Sequence, residues 1–404
     1  MRAPPSKSMM QRAVILASLA EGESLITNPT YCDDALATMR VVETLGAKVE
    51  KKPDGVVVQG GGKPRSATLD CGESGTCMRM ISAVAALHGK EFTITGKGTL
   101  MKRPVRMIEE PLRMLGAACQ VQEGGLPPIR IKGPIHGGKA RVDGSVSSQF
   151  LSGLLMALPL CREDSELDVS DLKSHAYVGM TESLMLVFGA RIRAMEGRYL
   201  INGGQRYGAR RYQVDGDWSG AAFMLVAGAI SGNVTVERLA SGIQPDMGIR
   251  DALEKAGAGV ISGDDYVMVR RENLRAFGFD AANCPDLFPP LTVLACNCKG
   301  KSVIKGASRL KHKESDRAAV LAEELGKLGA DIKVIGDRME ITGRKLRGGR
   351  INPHGDHRIA MAGAIAGLNS EKGVEIEDDG CVSKSYPGFF DDLESLMEKQ
   401  AVKK

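Results

Sequence analysis

Two kinds of apolar segment alternate along the chain. In the first, apolar and charged residues recur at helical spacing, as in Asp33 to Leu45 and Ile249 to Ala256, and the segment closes on a Gly-Ala pair. Such pairs stand at Gly46-Ala47, Gly116-Ala117, Gly189-Ala190, Gly257-Ala258 and Gly329-Ala330, roughly 70 residues apart. β-Rich residues follow, such as Lys48-Val49-Glu50 or Asp331-Ile332-Lys333-Val334, so each pair predicts a helix, a glycine C-cap and a strand. The second kind is more uniformly apolar and also precedes a strand: Ser6 to Ala20, Ser74 to His88, Ser147 to Leu160, Trp218 to Ile230, Pro289 to Cys298 and His357 to Leu368. Weak amphipathicity predicts that these helices are buried on most sides.

Together the patterns give six units of mixed strands and two helices, and 404 residues exceed one ordinary core, so two domains of three units each are expected. The sixth unit looks incomplete. Pro387 to Lys399 predicts its helix, but no Gly-Ala strand follows, and the N-terminal segment is the expected strand that completes its sheet.

Composition narrows the partners. A net charge of +5, no long basic run and 4% aromatic residues disfavour a nucleic-acid polymer. Lysine and arginine instead recur at segment starts, which suits a small polyanionic ligand. Nine cysteines without a Cys-x-x-Cys pair predict free thiols in a reducing cytosol. With no apolar run of membrane length, a soluble, cytoplasmic protein is expected, without membrane contact.

The chemistry gathers at the starts of the apolar helices: Ser6-Lys7-Ser8, Gly72-Glu73-Ser74-Gly75-Thr76, Ser147-Ser148-Gln149, Asp215-Gly216-Asp217, Pro285-Asp286 and Gly355-Asp356-His357-Arg358. A helix N-terminus offers unbonded N–H groups and a positive dipole end, and Lys7 with Arg12 adds two cations to the first of them. Gly72 to Arg79 lacks the Gly-Lys-Ser/Thr of a nucleotide-triphosphate loop. Gly96 to Arg106 brings Lys102 and Arg103 before a proline. In Lys311 to Arg317, read as a helix start, Lys313 and Arg317 share a face by i, i+4 spacing with Glu314 beside them. His354 and His357 have no further ligands at metal-binding spacing, so no metal is expected.

In order along the chain these residues resemble the EPSP synthase family, the 3-phosphoshikimate 1-carboxyvinyltransferases. The marks are Pro-x-Ser-Lys-Ser-x-x-x-Arg at Pro4 to Arg12, Ser-Gly-Thr-x-x-Arg at Ser74 to Arg79, Lys-Arg-Pro at Lys102 to Pro104 and Asp-Gly-Ser-x-Ser-Ser-Gln-Phe at Asp143 to Phe150. Lys-Glu-Ser-Asp-Arg at Lys313 to Arg317, Asp-His-Arg at Asp356 to Arg358 and Ser-Lys-Ser-Tyr-Pro at Ser383 to Pro387 complete the series. The resemblance implies an α/β protein with two domains, each an inside-out α/β barrel of three βαβαββ repeats, here 5–215 and 1–4 plus 216–404, with substrates between them and closure excluding water. It implies a monomer without cofactor that transfers the enolpyruvyl group of phosphoenolpyruvate to the 5-hydroxyl of shikimate 3-phosphate.

The resemblance also implies roles. Lys7, Ser8, Arg12, Ser147, Ser148, Gln149, Ser174, Tyr177, Asp286 and Lys313 correspond to shikimate 3-phosphate ligands. Lys7, Gly75, Arg79, Arg103, Gln149, Arg317, Arg358 and Lys384 correspond to the phosphoenolpyruvate site. Asp286 would take the hydroxyl proton, Glu314 would handle the methylene proton, and Lys7 and Lys384 would assist the chemistry.

Departures from the family pattern are Gln11, Glu73 and Met80, the last two expected to line or adjoin the phosphoenolpyruvate pocket, and Arg309 where asparagine often meets substrate. Gly75 keeps the small residue that leaves room for glyphosate. Only Met1-Arg2-Ala3 precede the prolines, which suggests a late or truncated start. Two rivals are a UDP-N-acetylglucosamine enolpyruvyl transferase and a catalytically silent phosphate-ligand binder. The first usually carries a cysteine shortly before the arginine matching Arg103, and none lies between Gly96 and Arg103; the second would not need both proton-handling carboxylates.

Overall fold

The five Gly-Ala pairs named above end helices through the same local hydrogen bonds. The glycines take left-handed φ values, +118° at Gly46, +94° at Gly116, +101° at Gly189, +83° at Gly257 and +97° at Gly329. The alanine N–H then bonds the carbonyl five residues back, as in Ala47 to Val42 and Ala330 to Leu325, which closes the helix and releases the chain into a strand.

The computed structural model describes residues 1–240 and 242–401, without the side chains of 399–401. Two units emerge, Lys7–Val214 and Met1–Ser6 with Asp215–Lys404. The cuts fall after Ser6 and Val214 rather than after residues 4 and 215, as expected above. The Ser6 N–H donates to the Asp215 carbonyl at 2.8 Å and Pro5 bridges Gly216, so both residues stay with the C-terminal part.

Within Lys7–Val214 there are three four-stranded sheets of matching order. The first carries α1 (Lys7–Leu19) and α2 (Asp33–Thr44) with strands Glu23–Thr27, Lys48–Lys52 and Gly55–Gln59. Its remaining strand, Arg211–Gln213, comes from the far end of the unit and runs parallel to Glu23–Thr27. The second places α3 (Gly75–Ala85) between the parallel strands Thr68–Asp70 and Glu91–Thr95, then α4 (Glu109–Met114) before an antiparallel pair. The third does the same with α5 (Gln149–Ala157) and α6 (His175–Phe188). Each is a β-α-β-α-β-β arrangement. The apolar helices are the buried ones: every residue from Met9 to Ala17 of α1 is inside, and so is nearly all of α3 and α5.

The other unit repeats the plan with α7 (Trp218–Ser231), α8 (Ile249–Lys255), α9 (Phe288–Cys296), α10 (Arg317–Lys327), α11 (His357–Gly367) and α12 (Phe389–Ala401). The N-terminal segment does not complete the sixth repeat. It lies parallel to Asn233–Glu237 of the fourth, with Arg2 bridging Glu237 and the Ala3 N–H bonded to the Glu237 carbonyl at 2.8 Å. The reason is the tether at Ser6 and Asp215, which holds residues 1–6 beside the entrance to α7. The sixth repeat has two strands among the described residues, Gly349–Ile351 and Val374–Ile376, with α11 between them. Among the described residues, no helix is long and apolar enough to cross a membrane.

Two glycines test this reading. A Cβ at Gly46 would meet the Gly62 backbone at 2.5 Å in addition to the left-handed φ, so Gly46→Ala is expected to destabilise by about 2 kcal/mol or more. Gly326 lies inside α10 with open space around it, so Gly326→Ala is expected to stabilise by about 0.5–1 kcal/mol. Urea unfolding measures both, and equal stability of wild type and Gly46→Ala would contradict the capping role.

Candidate active site

In the unit Lys7–Val214 the helix starts carry the polar groups. Lys7 Nζ pairs with Asp34 Oδ2 at 2.8 Å, with Asp34 buried in the first turn of α2. One turn into α1, Arg12 is 1% exposed and donates to the Ser8 carbonyl (2.8 Å), Thr181 Oγ1 (2.8 Å) and the Tyr177 carbonyl (3.0 Å). All three acceptors are neutral, and burial pulls the guanidinium pKa down to about 10. An anion beside it would relieve that desolvation.

Ser174 takes a left-handed φ of 57° just before α6, and its carbonyl accepts the Tyr177 N–H. Thr181 on the same helix donates to Ser152 of α5 at 3.0 Å, so α1, α5 and α6 are joined by side-chain hydrogen bonds. Ser147 Oγ accepts the Gln149 N–H at 3.2 Å, whereas the Ser148 hydroxyl does not cap α5. Residues 8, 12, 147–149, 174 and 177 thus stand on or beside the starts of three linked helices.

At α3 the absence of a side chain matters. A Cβ on Gly75 would lie 2.7 Å from Arg103 Nη1 and 3.1 Å from Arg79 Nη1, so two guanidiniums reach over this helix start. Arg79 is oriented by Gln149 Oε1 (2.8 Å) and the Pro104 carbonyl (3.2 Å), and the Gln149 amide in turn donates to Thr76 Oγ1 at 2.8 Å. Glu73 folds over Gly98, whose φ is +57°, in the loop leading to Arg103. Met80 is fully buried with its backbone against Gly153 of α5, so it belongs to the core beside Arg79. Gln11 proves structural: its amide donates to Thr38 Oγ1 at 2.9 Å and Ser74 Oγ at 2.7 Å, binding α1 to α2 and to the cap of α3.

The second unit gathers charge around Asp286, in the tight turn Pro285–Leu287 ahead of α9. Its carboxylate meets Lys313 Nζ at 3.3 Å, Arg317 Nη1 at 3.2 Å and Arg358 Nη2 at 3.1 Å. Burial opposes the Asp286 charge, but Arg358, Lys313 and Arg317 outweigh it and hold the carboxyl well below the usual range. Arg317 also meets Glu314 Oε2 at 2.6 Å and both oxygens of the fully buried Asp356, at 2.9 and 3.1 Å. Arg358 donates to Ser219 Oγ at 2.8 Å. Lys313 and Arg317 do not share a helix face, because α10 begins at Arg317 with Asp316 as its cap; a turn delivers Lys313 instead. Lys384 is buried at the end of the turn Asp379–Lys384, and Arg309 in the turn Ala307–Leu310 has Asp337 as its acidic neighbour.

Sequence reading assigned no role to Asp34, Asp356, Ser219 or Thr181. Asp356 was visible as a motif residue, but its grip on Arg317 spans 39 positions. Glu323, Glu324 and His354 bring ligand atoms within 4.8 Å of one another, yet the Lys327 ammonium engages both Glu324 oxygens, at 2.8 and 2.9 Å, as an ion-pair network does.

Repeated α/β units whose helix starts concentrate arginine, lysine and paired carboxylates define a protein that binds small anions and can move protons. The chain belongs to the EPSP synthase (3-phosphoshikimate 1-carboxyvinyltransferase) family, whose model matches residues 1–393. It is 40% identical to the 3-phosphoshikimate 1-carboxyvinyltransferase of Methanocorpusculum labreanum, over 98% of this chain and 95% of that protein. The protein of the same name from Thermococcus kodakarensis is also 40% identical, over 98% and 97%. Among solved structures, an EPSP synthase from Acinetobacter baumannii superposes with a TM-score of 0.80 at 29% identity, covering 96% of this chain and 93% of the other.

Gly75→Ala is expected to push aside the Arg103 and Arg79 guanidiniums and weaken binding of phosphoenolpyruvate by about tenfold or more. Calorimetric titration checks this; unchanged affinity would mean that the two arginines do not serve that ligand.

Proposed function

We propose that this chain transfers the enolpyruvyl group of phosphoenolpyruvate to the 5-hydroxyl of shikimate 3-phosphate and releases inorganic phosphate. Family membership over nearly the whole chain supports the reaction class, and one observation carries the chemical reading: Asp286 and Glu314 share the Arg317 guanidinium, so two carboxylates meet at one cation. Addition of a hydroxyl to the enol carbon needs a base for the hydroxyl and an acid for the methylene, and two carboxylates with different neighbours can divide those tasks.

In this reading Asp286 takes the proton of the 5-hydroxyl as the oxygen bonds to C2 of phosphoenolpyruvate, and a proton from Glu314, assisted by Lys384 and Lys7, turns the methylene into a methyl. Return of a methyl proton to Glu314 as the bond between C2 and the phosphate oxygen breaks then restores the double bond and expels phosphate. Arg317, Arg358, Arg79 and Arg103 with the Gly75 N–H, Gln149, Lys7 and Lys384 bind phosphoenolpyruvate. Ser8, Arg12, Ser147, Ser148, Gln149, Ser174, Tyr177 and Lys313 hold shikimate 3-phosphate, and Arg12, surrounded by neutral acceptors, is suited to an anionic partner. The protein acts as a cytoplasmic monomer on small molecules, without nucleic acid, membrane or cofactor.

Purified protein given both substrates is expected to release phosphate, and glyphosate is expected to stop it. Release that persists in excess glyphosate would refute the Gly75 reading, and release only with a UDP-amino-sugar acceptor would refute the acceptor. Asp286→Asn is expected to lower turnover at least about a hundredfold while tightening phosphoenolpyruvate binding, because Asp286 competes with that anion for Arg317 and Arg358. Wild-type turnover in this variant would remove Asp286 from the mechanism.

A further inference from the structure

Glu324 is a buried acid that the proposed mechanism does not use. It lies two turns after Arg317 on α10, in the buried stripe Arg317, Leu321 and Glu324, and its side chain is 0% exposed. Its carboxylate accepts the backbone N–H of Asn352 at 2.9 Å and meets His354 Nε2 at 2.8 Å, besides the two bonds from Lys327. Burial opposes the charge, but these hydrogen bonds prevail and hold the carboxyl below its ordinary range.

The two residues that Glu324 grips begin the segment delivering Asp356 and Arg358. His354 has a left-handed φ of 53°, a conformation that costs energy and needs external support. Asn352 Oδ1 accepts the His354 N–H at 2.7 Å, and the Pro353 carbonyl accepts the Asp356 N–H at 2.9 Å. Helix α10 therefore holds this segment at two points. Arg317 binds it through Asp356, and Glu324 binds it through Asn352 and His354. Asn352 Nδ2 also donates to Glu377 Oε2 at 2.7 Å and Ser315 Oγ to Asp356 Oδ2 at 3.0 Å, so the two α10 attachments set the register of an already anchored segment against that helix.

We infer that Glu324 and His354 form a positioning latch that sets Asp356 against Arg317 and Arg358 against Asp286, and so tunes the affinity for phosphoenolpyruvate without touching it. The inference rests on the function proposed above. Wild-type phosphate release tests that function alone; the latch is judged by variants.

Glu324→Gln is expected to raise the KM for phosphoenolpyruvate at least about fivefold, with the KM for shikimate 3-phosphate within about twofold, because most candidate ligands of the latter belong to the other unit. His354→Asn tolerates the left-handed backbone but is too short to reach Glu324, and is expected to show the same selective rise. His354→Gln regains the reach and is expected to restore most of the affinity. The His354 pair decides the matter if Glu324→Gln does not fold, since His354 is 43% exposed. Calorimetric titration with inorganic phosphate reads the same arginine geometry, with weaker binding expected in both uncorrected variants, even if the wild type releases no phosphate. A loss of thermal stability with both KM values unchanged, an equal rise in both, or no difference between His354→Asn and His354→Gln would overturn the latch.

Discussion

Arg317 is fully buried and permanently charged, and a guanidinium in that position is tolerable only with carboxylates around it. Asp286, Glu314 and Asp356 supply them from three separate segments of the chain. Their charges raise the affinity of Arg317 for its proton against the cost of burial. Taking away one partner of such a group costs about 3–5 kcal/mol, so the start of α10, the turn before α9 and the start of α11 are held in one arrangement by a single side chain. The polar center of this unit and its packing are the same feature.

The other unit solves the opposite problem. Arg12 is as deeply buried, yet its hydrogen bonds end on a hydroxyl and two carbonyls, and its pKa falls where that of Arg317 rises. One unit thus keeps a cation compensated by its own acids, and the other keeps a cation among neutral acceptors.

Repetition explains why the same fold element serves so often. Five of the repeats end a helix on a left-handed glycine, and α3, α7 and α11 start on side-chain caps at Ser74, Asp217 and Asp356. The repeats are not closed on themselves. Arg211–Gln213 returns to join a sheet begun near residue 23, and residues 1–3 lie along the strand Asn233–Glu237. Strand neighbours far apart in sequence bind the start and end of Lys7–Val214 and join the two segments of the other unit.

What the sequence determined by itself was local or carried by motifs. The glycine caps and the apolar helices follow from bonds spanning a few residues, and the candidate site residues stood in short motifs that could be read in order. What tertiary structure decided lies in contacts between distant positions: the strand that the N-terminus joins, the Asp356 clamp on Arg317, the Gln11 bonds that tie three helices, and Glu324 against His354. The helix expected to bring Lys313 and Arg317 together gave way to a capped turn, although both still reach Asp286. Local spacing can state which residues carry charge, but a buried charge takes its partner from whatever segment the fold brings within about 3 Å, and periodicity holds no record of that distance.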